Sequence, residues 1–185
     1  MSKKPETKDK FNFIVFALVG FALVLLALVL IKSKTARASI FVTLFIVANM
    51  ILSSYKRFLK IPIEFEVLTL GIVICTVRFG IKAGLVVAIL GGILSFIVGY
   101  NISPFSFPML LGYILIAFTS FILSSLDLFL IGMAATLINN IFVFIVYHFS
   151  FRYDLVKNVL FSASNILFNL IFFMNLAPIL LSIIN

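Results

Sequence analysis

Charged and amide positions cut this chain into apolar runs of membrane-crossing length. After the polar start "MSKKPETKDK", the run from Phe11 to Ile31 carries no charge. About 20 apolar residues suffice to cross a bilayer core as a helix. Six further runs follow, at about Ala38–Tyr55, Pro62–Phe79, Ala83–Gly99, Met109–Ser125, Leu128–His148 and Leu155–Ile184. They are separated by "KRFLK", the "FGIK" corner, the proline-bearing "YNISPFSFP", a short hinge at Asp127 and "FSFRYD". Pro62 suits a first helical position, where it has no N–H to lose. Pro178 removes one hydrogen bond from the last run and predicts a bend there. The runs do not alternate with period two and are about twice too long for barrel strands. The expected fold is therefore all-α, a polytopic membrane helix bundle. Residues 38–185 form a six-helix domain, preceded by a charged tail over 1–10 and an N-terminal transmembrane helix over 11–31. "ARAS" imitates a signal-peptide cleavage site, but the preceding run is too long and "KSKTAR" too basic, so the first helix reads as an uncleaved anchor.

Composition narrows the class further. The 185 residues are 64% hydrophobic and only 11% charged, with a mean hydropathy of +1.31. A water-soluble domain needs far more charged surface, so the expected location is the cell membrane, with the lipid bilayer as solvent. The formal charge of +8 lies mostly in short segments between apolar runs, a pattern of topology and anionic-lipid contact rather than nucleic-acid binding. If all seven helices span, the tail shares one side with Lys56, Arg57, Lys60, Arg152 and Lys157. The other side then carries Lys32, Lys34, Arg37, Arg78 and Lys82. That asymmetry leans towards a cytoplasmic N-terminus.

Conventional catalytic chemistry is not visible in these residues. One histidine, His148, and one cysteine, Cys75, supply neither a metal site nor a disulfide framework, and no phosphate-binding loop of the G-x-x-x-x-G-K-[ST] type occurs. No enzyme activity, metal or cofactor is expected.

Three features remain. Gly80, Gly84, Ala88 and Gly92 are each four apart, forming one small-residue face on which helices approach closely. That face suits packing within the chain or docking of a membrane subunit. Glu64, Glu66 and Arg78 are the charges of the third run. Glu64 near its start and Arg78 near its end complement the helix dipole, while a second glutamate leaves room for a ligand or partner role. Asn158, Ser162, Asn165 and Asn169 form a polar stripe on the last run, with Thr136, Asn140 and Tyr147 on the run before it. Tyr113, Ser120 and Ser124 make a weaker stripe on the fifth. Such stripes either line a polar cavity or bond one helix to another, because unsatisfied polar groups in lipid cost several kcal/mol.

At "IPIEFEVLTLGIVICTVRFGIKAGLVVAILGGILS" the chain resembles the substrate-binding S components of energy-coupling factor transporters. The shared pattern is a short helix ending in an "FG-x-K/R-x-G" turn, here Phe79, Gly80, Lys82 and Gly84, followed by a small-residue-rich helix. A similar layout is that of the rod-shape-determining membrane protein D family. The first resemblance implies capture of a small, vitamin-like molecule among Glu64, Asn101, Tyr113, Asn140, Tyr147, Asn165 and Asn169. It also implies docking through Gly80, Gly84, Ala88 and Gly92 to a transmembrane coupling subunit driven by ATPases. The second implies a membrane scaffold for cell-envelope or cell-shape machinery. A membrane substrate-capture subunit for nutrient uptake is the leading expectation, and the scaffold its alternative.

Overall fold

The structure is a computed structural model and describes residues 33–54, 64–99 and 102–184. The expected tail and N-terminal helix, together with Pro62 and Asn101, lie outside those residues. The described part is all-α, with six helices and no strand: α1 Lys34–Ser53, α2 Leu68–Phe79, α3 Ile81–Val98, α4 Ser106–Ile122, α5 Leu128–Ser150 and α6 Leu155–Ile184. Helices α1, α3, α5 and α6 are long and apolar enough to cross a membrane, whereas α2 and α4 have 12 and 17 residues. Four such helices suggest a multi-pass membrane protein.

Helix boundaries follow local chemistry. Asp127 caps α5 by accepting from the Phe129 N–H at 2.9 Å, and Asp154 caps α6 by accepting from the Lys157 N–H at 2.9 Å. Each satisfies a backbone donor that the first turn leaves without a partner. Between α2 and α3, Gly80 has φ +96°, a backbone conformation that costs glycine little and other residues more. Three wide turns of π-type interrupt the long helices, at Val87–Gly91, Val146–Ser150 and Phe172–Leu176. The last stands just before Pro178, where the missing N–H led to the expectation of a bend. Proline cannot bond the carbonyl one turn back, and the irregularity is taken up in the turn immediately before it.

The core is built around α2. Leu68, Leu70, Ile72, Val73 and Ile74 are all fully buried, as befits a helix apolar on every side. Phe45 of α1 packs on Gly71, where an added Cβ would lie 2.7 Å from its Cβ. Gly84 of α3 lies against Thr76 and Gly92 against Tyr113. The small-residue face of α3 therefore meets α2 and α4 of its own chain. Gly84, Ala88 and Gly92 are buried there, and only Gly80, at the corner, is partly exposed.

One end of the bundle is fixed by Arg37, whose Nη1 donates to the Ile184 carbonyl at 3.0 Å, and by the Phe41–Phe79 ring pair at 5.9 Å. Lys34, Arg37, Arg78 and Lys82 thus belong to the end that α1 enters and α6 leaves. The opposite end holds the α5–α6 turn.

Candidate functional site

The structure departs most from the sequence pattern at Glu64–Val67. A helix starting at Pro62 is the expectation, with Glu64 in its first turn. Instead residues 64–67 are not helical, and α2 begins at Leu68. The reason is tertiary. The Glu64 N–H donates to Ser164 Oγ on α6 at 3.0 Å, and a Glu66 carboxylate oxygen accepts from the Tyr113 hydroxyl on α4 at 2.5 Å. These bonds tie the segment to α4 and α6.

The depth of this segment follows from the register of its partners. Tyr113 is seven residues from the start of α4 and Ser164 nine from the start of α6. At 1.5 Å per residue these lie about 10 and 14 Å inside the helix ends. Leu68, the first residue of α2, touches the space above Gly91, seven residues before the end of α3. Glu64 to Val67 therefore dips into the bundle, and α2 starts inside it. Irregular backbone at such depth is tolerated where protein buries it. Both glutamates are buried, at 5% and 2% exposure.

Asn165, next to Ser164 on α6, belongs to the seam between α5 and α6. Asn140 Nδ2 donates to Asn165 Oδ1 at 2.9 Å and to the Thr136 carbonyl at 2.8 Å. Asn169 Nδ2 donates to the Asn165 carbonyl at 2.9 Å and to Asn165 Oδ1 at 3.2 Å. One turn and more towards the α5–α6 turn, Asn158 Nδ2 donates to the Phe144 carbonyl at 3.1 Å. Asn140, Asn158, Asn165 and Asn169 are all buried. Thr136 and Ser120 turn their hydroxyls back onto their own helices, to the Gly132 and Ile116 carbonyls, so those members of the stripes do not join helices.

Aromatic rings close the seam at its outer end. The Tyr147 hydroxyl donates to the Phe105 carbonyl at 2.8 Å, and the Phe105, Phe151, Tyr153 and Phe161 rings surround it at 5.3 to 6.4 Å. Burial, and then the neighbouring Asp154, hold the Tyr153 phenol above its ordinary pKa.

The structure thus brings together Tyr113 with the glutamate segment, and Asn140 with Asn165 and Asn169, while Tyr147 belongs to the aromatic closure. Sequence spacing missed Ser164, which lies off the four-three-four stripe and has no signal of its own. It also missed Asn139, beside Asn140, whose Oδ1 abuts Gly112 of α4. The pair Asn49 and Ser53 on α1, fully buried and four apart, was legible as a short stripe. Among the described residues no three His, Cys, Asp or Glu side chains gather where they could hold a metal ion.

No protein-family model matches the chain, and neither the curated proteins nor the solved structures compared with it give a match. What the fold defines is a helical protein with four candidate membrane spans.

Proposed function

We propose that this chain is a multi-pass membrane protein that captures a small polar nutrient, its uptake energised by separate partner subunits. One observation carries the reading: a non-helical, two-glutamate segment is held about 10 Å or more inside the bundle, between Tyr113 and Ser164. Broken helices at such depth, with polar side chains converging on the break, are how many transport proteins build a binding site. The resemblance of residues 61–95 to S components of energy-coupling factor transporters agrees with this reading. Catalysis forms no part of it.

The test is thermal stability of the detergent-purified chain against a panel of vitamins, nucleobases and metal ions, since a ligand that binds only the folded state raises the melting point by mass action. A shift confined to one compound class supports capture, and no shift across the panel removes the proposal.

The mutual pairing of Asn140, Asn165 and Asn169 favours a second reading, a membrane scaffold for envelope or shape machinery that uses its amides only to join helices. Co-purification of envelope-assembly proteins, with no small-molecule effect on stability, supports that reading instead.

A further inference from the structure

Three amides of the α5–α6 seam donate to helix carbonyls and keep unpaired oxygens. Asn140, Asn158 and Asn169 each give Nδ2 to a helix carbonyl, of Thr136, Phe144 and Asn165. Because a carbonyl can only accept, these bonds fix which end of each amide is nitrogen. In all three the Oδ1 atom is buried and has no hydrogen-bond partner among the described residues, at residue exposures of 4%, 0% and 1%. Asn140 and Asn169 both bond Asn165 Oδ1, so two of these oxygens flank one residue. Asn158 lies seven residues from Asn165 on the same face, about 10 Å nearer the aromatic closure. A buried amide oxygen left unpaired is costly, and a native structure retains such atoms where something else supplies the donor.

From this we infer that the captured molecule presents two or more N–H donors and no net negative charge, as an amine, amidine or aminated ring does, and that Asn140 and Asn169 Oδ1 receive them. The inference rests on the reading of the chain as a small-molecule capture protein and narrows its substrate class. Acceptor-only anions find no spare donor on Asn140 or Asn169, whose amide nitrogens each already make two bonds. They would also approach the buried Glu64 and Glu66 carboxylates, which lie at the depth of Ser164 and Tyr113.

The experiment measures melting temperature of the full-length, detergent-purified chain with small probes: agmatine, adenine and nicotinamide as N–H donors without negative charge, nicotinate and pantothenate as anions. Stabilisation by agmatine or adenine is expected, weaker by about tenfold or more in apparent affinity for Asn140→Leu and Asn169→Leu. A cooperative unliganded melting transition and a monodisperse gel-filtration profile identify the leucine variants that fold, and the preference of the wild-type chain for agmatine or adenine over the anions tests the inference even where neither variant does. Stabilisation by nicotinate or pantothenate alone, or an equal response of wild type and both leucine variants, overturns the inference while leaving capture standing. No response to any probe, with the chain folded, overturns both and assigns the three oxygens to buried water.

Discussion

The Tyr113 hydroxyl on α4 donates to the Glu66 carboxylate at 2.5 Å, across 47 positions of sequence, and both side chains are almost fully buried. This bond ties the non-helical segment to the bundle at the point where α2 begins. A donor to a buried carboxylate is worth more than a neutral hydrogen bond, because the charge has little water to turn to.

Tyr113→Phe is expected to cost about 2 kcal/mol of stability, read as a lowered melting temperature in detergent. Glu66→Gln should cost less, since its amide oxygen still accepts from Tyr113. In the double variant the losses should fall short of their sum, because Tyr113→Phe leaves no bond for Glu66→Gln to weaken. Additive losses would mean that the tyrosine and the glutamate act on stability through separate neighbours.

Two glycines of the small-residue face matter for different reasons. An added Cβ at Gly84 collides with Thr76 Oγ1, whereas at Gly80 it meets nothing within 4 Å but would sit on a backbone with φ +96°. Gly84→Ala is expected to cost about 1–3 kcal/mol through overpacking, and Thr76→Ala should recover part of that loss. Gly80→Ala should cost a similar amount through backbone strain, and Thr76→Ala should not relieve it. Melting temperatures of the four variants separate the two causes.

The helices were legible because apolar length and charge punctuation are local properties of the chain. Asp127 and Asp154 mark the starts of α5 and α6 in sequence as they do in structure. The "FGIK" corner likewise announces its glycine. Residues 64–67 were not legible, since the local pattern there favours a helix. What overrides it is the Tyr113 hydroxyl and Ser164 Oγ, from residues about 50 and 100 positions away. The amide stripes were visible by spacing, but spacing alone left open whether they bond one another or face a cavity. The structure shows both donors spent on helix carbonyls and acceptors left over, a distinction that depends on the orientation of each amide.

Tyr153 offers a test by pH. Its phenol lies in the α5–α6 turn, outside the spans, and burial with Asp154 nearby raises its pKa. In the unfolded chain a tyrosine titrates near 10. The folded state holds its proton longer, so the stability this group contributes is fully present below about pH 10 and is lost as pH rises through the folded value. Tyr153→Phe should therefore flatten the fall in melting temperature above about pH 10. An unchanged alkaline slope would show that the turn opens before the phenol ionises.

The arrangement of the two ends can be read in intact membranes by single-cysteine labelling. Ser33, Lys82 and Ser125 belong to the end marked by the Arg37–Ile184 bond, and Arg152 to the opposite end. Ser33, Lys82, Ser125 and Arg152 are exposed. Native Cys75 is buried and should stay unlabelled until the protein is denatured. Cysteines placed at 33, 82 and 125 should react with a membrane-impermeant maleimide from one side, and a cysteine at 152 only from the other. That outcome requires an odd number of crossings between residues 125 and 152, which α5 supplies, and an even number between 33 and 125. It also requires the two-helix excursions α1–α2 and α3–α4 each to return to the side they left, although α2 has only 12 residues. Labelling of 82 from the side opposite to 33 would mean that α2 and the segment leading into it do not cross together, and the site built on Glu64 and Glu66 would lose its position inside the bundle.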